Sequence, residues 1–292
     1  MKITAGLSIG MVCRFKFPAR YASALALTLL TFAPQGNALA APNSRVTAAY
    51  VVEVGGMSVL KMSYDAAVTE KTYQSVAAVK TKGLVGLFSD YRMDMIATGA
   101  VNGNDARPSR FTSRAEKKDK DKTIELSWRD GRPPTVEPGL DSDDERFLAG
   151  AVTAGLVDPL SMILRMTALQ TGQPCRTVER VFDGQEVYDL SFELKGKVTI
   201  GSADAGSYRG HAYKCSVTYT PVAGRAAAKF KKKGLAPQKF DIWFAPARSG
   251  PDGALFVPVL ATGKLKGFGF VAYASKAAID GVPLGADSAT AN

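Results

Sequence analysis

Histidine is almost missing from this sequence: His211 is the only one in 292 residues, and cysteine occurs three times. With Cys13 set aside in the N-terminal leader, the two remaining cysteines and one histidine are fewer soft donors than a zinc site of imidazole and thiolate ligands needs. Any catalytic triad would have to be assembled around His211. The linear signatures of the commoner chemistries are missing too. There is no Gly-x-Ser-x-Gly elbow, Walker loop, dinucleotide fingerprint, EF-hand or His-Glu-x-x-His pair. No cofactor and no metal are implied. After residue 40, no run is long and apolar enough for a spanning helix, which takes about 20 residues.

What the chain does have starts with an export signal. Residues 1–40 carry Lys2, Arg14, Lys16 and Arg20 and no acid. An apolar run from Tyr21 to Ala33 follows, Pro34 to Asn37 break it, and Ala38-Leu39-Ala40 offers the small residues that signal peptidase reads. The run falls well short of the ~20 residues of a membrane anchor. The expectation is therefore a leader cleaved after about Ala40 and a periplasmic mature chain, with Met11 an alternative start. Cys13 precedes the apolar run, where no lipoprotein peptidase would cut. Loss of the leader takes the formal charge from +10 to +6.

Two cysteines then remain, Cys175 and Cys215. An even pair in an oxidising compartment reads most simply as a disulfide. A redox-active pair would ordinarily be a close Cys-x-x-Cys.

Strand patterns dominate the mature chain. Apolar and polar residues alternate through Tyr188–Leu194, Ile124–Arg129 and Tyr213–Tyr219, the period of a half-buried strand. Further strands are expected at 46–54, 57–66, 71–81, 90–99, 108–117, 177–182, 239–244, 255–262 and 265–274. Glycine turns at Gly55-Gly56, Asp130-Gly131, Asp183-Gly184 and Asp252-Gly253 separate several of them. One helix is well signalled: Asp158 caps it, Pro159 takes its first position, and Leu160, Ile163, Leu164 and Leu169 share a face before Gly172. The expected fold is mainly β, a large antiparallel and strongly curved sheet or barrel with one interposed helix. Residues 41–275 read as a single β-rich domain and 276–292 as a flexible tail.

Individual residues yield mostly structural readings. The phase of His211 relative to Tyr213 and Cys215 predicts an inward, hydrogen-bonded side chain. Ser58-Val59-Leu60-Lys61 fits a Ser-x-x-Lys pattern, but that chemistry wants a helix and this segment reads as a strand. Asp141-Ser142-Asp143-Asp144-Glu145 lacks the glycine of a calcium loop and reads as an acidic helix start. Trp128 and Trp243 are expected in the core, with ligand stacking the alternative. The basic run Arg225–Lys233, including Lys231, Lys232 and Lys233, reads as a solvated loop; anionic lipid is the functional alternative. Nucleic acid is a poor partner for an exported chain with no binding motif.

The order of these features resembles an exported bacterial family catalogued as domain of unknown function 3108. The resemblance rests on Tyr50-Val51-Val52-Glu53-Val54-Gly55-Gly56, Asp158-Pro159-Leu160-Ser161, Cys175, Phe182-Asp183-Gly184 with Tyr188, Tyr208 with Cys215, and Asp241-Ile242-Trp243. It implies an envelope location and a β-rich fold, and it carries no catalytic residues. The resulting expectation is a non-catalytic periplasmic protein whose curved sheet binds an apolar or lipid-like molecule. The rivals are an envelope assembly module with a protein partner and a hydrolase using His211.

Overall fold

The computed structural model describes residues 44–82, 90–103, 105–117, 120–129, 131–167, 174–175, 177–250, 253–265 and 267–285. The leader, its cleavage point, Leu169 and Gly172 lie outside the described residues. The first half supplies β1 (Ser44–Val54), β2 (Met57–Val68), β3 (Thr72–Thr81), β4 (Tyr91–Asn102), β5 (Asp105–Lys117), β6 (Lys120–Ser127) and β7 (Thr135–Glu137). Two helices follow, α1 (Ser142–Leu148) and α2 (Pro159–Thr167). Then come β8 (Val178–Phe182), β9 (Val187–Ile200), β10 (Gly210–Ala223), helix α3 (Arg225–Lys233), β11 (Gln238–Gly250), β12 (Gly253–Leu265), β13 (Phe268–Ile279) and β14 (Val282–Pro283).

All fourteen strands join one antiparallel sheet, ordered β7-β6-β5-β4-β3-β2-β1-β13-β12-β11-β10-β9-β8, with β14 pairing β13. Two meanders therefore meet at the β1–β13 pair. Alternation builds each strand: in β3, Tyr73, Ser75, Ala77 and Val79 are buried while Thr72, Gln74 and Val76 are exposed. Tight turns need positive φ, and Gly55 and Gly56 supply it at +58° and +80° between β1 and β2.

The sheet does not close. β7 and β8 are its two ends, yet side chains bring them together, so the sheet is strongly curved. Arg165 of α2 spans the gap, 2.7 Å from Asp105 on β5 and 3.0 Å from Glu179 on β8. Lys122 Nζ donates to Gln185 Oε1 at 2.7 Å, and the Trp128 indole N–H donates to Leu156 O at 2.8 Å. Gly184 packs so tightly on β6 that a Cβ there would lie 2.4 Å from Ile124 Cγ2. Inside the curve, Leu160 and Leu164 of α2 are buried with Tyr64, Tyr73, Ala97, Phe111, Leu126 and Phe182.

Two expectations are corrected here. The run Arg225–Lys233 is helix α3, not a loop: alanine and lysine are good helix formers, and Gly234 ends it in the left-handed conformation with its N–H bonded to Lys231 O. Of the tail expected over 276–292, the described residues continue β13 to Ile279 and add β14, and residues 286–292 lie outside the described residues. Ile279 is buried opposite Val46, and β14 pairs back through Ile279 and Val282. A register shift hides the pattern: Ala49 faces Lys276 but Tyr50 faces Ala274, so Ser275 is the extra residue and breaks the two-residue period.

Candidate functional site

Helix α2 lies against the inner face of the sheet, and its start is fixed by a buried polar cluster. Asp158 caps it: Oδ1 accepts from Leu160 N at 2.9 Å and Ser161 N at 3.0 Å. The Ser161 hydroxyl donates to Asp158 Oδ2 and also bonds the Tyr73 hydroxyl at 2.5 Å. Asp158 and Ser161 are fully buried. Burial pushes the Asp158 carboxyl above the ordinary carboxylate value, although the hydrogen bonds to Ser161 and Leu160 pull the other way.

Between this anchored helix and the strands lies an apolar cavity of about 240 Å³. Pro159, Leu160 and Ile163 form its helix side; Met62, Ala77, Met95, Ile242, Ala261 and Ala272 are on its sheet side. Small side chains make the room. Ile242, Ala261 and Ala272 are successive cross-strand partners on β11, β12 and β13, and two of the three are alanine. Polar atoms at the wall are already engaged: the Tyr50 hydroxyl donates to Pro258 O at 3.0 Å, and the Tyr64 hydroxyl lies 3.5 Å from Ser75 Oγ. Burial raises both phenols, that of Tyr64 to about 12. Neither is an ionised group at neutral pH.

The wall continues beyond the cavity. Two residues nearer the strand ends, Phe240, Gly263, Phe270 and Val54 are successive cross-strand partners on β11, β12, β13 and β1. All four are only half-buried. The two phenyl rings stand 6.4 Å apart. A Cβ on Gly263 would fall 2.6 Å from the Phe270 ring and 2.7 Å from Phe240 Cβ, so only glycine fits between them. An unbroken apolar track thus runs from the cavity toward the end of the sheet that carries the β1–β2 turn.

The residues singled out from sequence are scattered around this cavity. Cys175 and Cys215 form a disulfide and are buried in a core with Val181, Phe192, Val217, Phe244 and Phe256. Trp243 is half-buried and packs against a core cluster that includes Ile200, Tyr208 and Val259, with the Lys214 ammonium 5.0 Å from its ring centroid. The expectation for His211 is corrected: it is exposed, and its Nδ1 lies 3.2 Å from Thr199 Oγ1. At this strand entry the buried residue is Ala212, packed in a separate cluster with Ile200, Tyr208 and Val259. The inner core that covers Cys215 does not reach His211. Lys61 of the Ser-x-x-Lys segment is exposed on β2, while the Ser58 hydroxyl is buried on the same strand. Asp141 caps α1, and Arg225 bonds Asp141 and Asp144 together, so the acidic run is a helix start with its own cation. Trp128 packs on the inner core. Among the described residues no group of three His, Cys, Asp or Glu side chains could hold a metal ion.

The sequence reading missed the cavity itself. A signal was available, because alanine is depleted in strands yet recurs here at 77, 261 and 272.

Comparison with known proteins gives three findings. The model of the family described as "Protein of unknown function (DUF3108)" matches residues 45–266. No curated protein matches the sequence. Among solved structures, the chain is similar to a beta-barrel-like protein of domain of unknown function DUF1849 from Brucella abortus. The identity is 11% and the TM-score 0.47, over 82% of this chain and 98% of that chain.

Proposed function

This chain belongs to the DUF3108 family of proteins of unknown function, and from that premise we propose a role on the cavity alone. The protein is an exported envelope protein that holds the hydrocarbon part of an amphipathic molecule between α2 and the sheet, without catalysing a reaction. The observation that carries this reading is the apolar cavity of about 240 Å³ with its track of Phe240, Gly263, Phe270 and Val54. Apolar cavities of roughly 150 Å³ stay dry and take up a benzene-sized guest, so this one is large enough for a short stretch of acyl chain. A polar head group would stay at the half-buried end of the track. The leader-like first forty residues and the cysteine bridge support the envelope location.

The test is native mass spectrometry with lipid extraction of protein recovered from the periplasm. A bound amphiphile is expected, and Ala272→Phe, which drives a ring into the cavity, should remove it. Ala261→Leu serves as a milder filling variant should the phenylalanine unfold the chain. Retention of the molecule by the folded filling variant overturns the reading. So does a wild-type protein that carries nothing and takes up no fluorescent fatty acid.

A further inference from the structure

The strand directions place the β1–β2 turn, the β12–β13 turn and the whole β10–β11 connection, with α3 in it, at one end of the sheet. Gly55 N–H donates to Gly269 O at 3.0 Å and ties the first two turns side by side. Large apolar side chains stand in solvent at this end: Met57 is 59% exposed, Phe268 65% and Leu235 50%. They belong to, or immediately precede, strands β2, β13 and β11, which lie within five consecutive strands. At about 4.8 Å per strand this part of the rim is about 20 Å across.

Cations gather at the same end. Lys229, Lys231, Lys232 and Lys233 on α3 are all exposed, and among the described residues none of them makes an ion pair. Arg225, at the start of the same helix, is by contrast held by Asp141 and Asp144. Lys82, just after β3, and Lys264, near the end of β12, are exposed at this end. Acids stand at this end too: Asp90 is exposed, Asp121 lies 3.9 Å from Arg114, the Glu186 carboxylate accepts from Ala226 N, and on neighbouring α1 Asp141 and Asp144 hold Arg225 while Asp143 pairs with Arg146 and Glu145 is exposed.

We infer that this rim is a docking surface for a bilayer that carries anionic head groups. A lysine face by itself is ordinarily a solvated face. Here it adjoins three apolar side chains whose exposure to water is unfavourable, and the two together match the layered chemistry of a membrane interface. Lysines meet phosphate while Met57, Leu235 and Phe268 enter the acyl boundary. Nucleic acid would engage the lysines and leave the apolar side chains wet. This inference uses residues other than those of the cavity and goes beyond the role proposed for it, although the apolar track opens toward the same end.

Sedimentation with vesicles tests it, using the protein as the cell leaves it after processing. Phosphatidylcholine vesicles with phosphatidylglycerol should bind the protein, and pure phosphatidylcholine should bind it far less. Each lysine near an anionic surface contributes about fivefold to partitioning. The fourfold variant Lys229→Gln, Lys231→Gln, Lys232→Gln and Lys233→Gln should therefore bind more than a hundredfold more weakly, with unchanged circular dichroism. Met57→Ser with Phe268→Ser should weaken binding while leaving its salt dependence. Equal binding by the folded lysine variant overturns the inference. So does displacement by millimolar inorganic phosphate alone, or binding to single-stranded DNA as tight as to the vesicles. The filling variant Ala272→Phe should bind vesicles like the wild type, so failure of the cavity reading and failure of this one are distinguishable.

Discussion

Replacing Asp158 separates a helix cap from a buried charge, because alanine and asparagine remove different parts of it. The carboxylate accepts two backbone N–H groups and a serine hydroxyl in a fully buried site. Asp158→Ala removes the cap, at about 1–2 kcal/mol. It also strands buried donors, of which the Ser161 hydroxyl can turn to Tyr73 while the two N–H groups have nowhere to go. Leaving them unpaired adds about 1–3 kcal/mol. The total expected loss is thus about 2–5 kcal/mol. Asp158→Asn keeps an acceptor for both N–H groups, and its amide can donate to Ser161 Oγ, so the loss should stay near 1 kcal/mol. Urea unfolding followed by tryptophan fluorescence reads both as shifts in midpoint at constant slope.

A pH series adds a second readout of the same side chain. Burial holds the Asp158 carboxyl above its ordinary value of 3.8. Between that value and the folded one, the folded chain keeps a proton that the unfolded chain has lost, so stability falls as pH rises through this window. Below 3.8 the contribution is fully present. The asparagine variant has no such titration. The stability of the wild type relative to Asp158→Asn should therefore decline as pH rises from about 4. Equal losses for alanine and asparagine at neutral pH, or a flat difference across the pH series, would refute the account of this cap.

Removal of the disulfide by Cys175→Ser with Cys215→Ser opens a loop closed at a sequence separation of 40. The chain-entropy model puts the loss at about 4 kcal/mol, measured as the midpoint difference from the oxidised wild type; a loss under about 1 kcal/mol would contradict that model. His211→Ala should change stability by less than about 0.5 kcal/mol, since the ring is exposed and meets only Thr199. It should also leave uptake of a fluorescent fatty acid intact. Loss of that uptake in a folded His211→Ala protein would reopen a role for the imidazole.

Most of the architecture was readable because burial writes a period into the chain. β9 and β10 alternate cleanly around Leu190, Phe192, Cys215 and Val217, and Asp158-Pro159 announces α2 in local chemistry. Errors came where tertiary context overrode the local pattern. Ser275 breaks the phase of β13, so a strand looked like a tail. His211 has the right phase but sits where the inner core has ended. The lysine run was read by its solubility, although its alanines and its flanking Gly224 and Gly234 also spell a short helix. The cavity could not be read from period at all. It arises where alanines of distant strands meet a helix, and that adjacency is set by the β1–β13 pairing of the two meanders.

The seam between the two sheet ends has a mechanical consequence. In a closed barrel, strand number and stagger fix the girth, and widening it means breaking a backbone ladder. Here the hoop is fastened by a clasp: the Arg165 guanidinium between Asp105 and Glu179, the indole of Trp128 on Leu156 O, and Ile124 nested against Gly184. Such a hoop can loosen by a notch through a few side-chain contacts while every strand pair stays intact. Any swelling of the interior would be taken up at the clasp, and the ladders would ride through it unchanged.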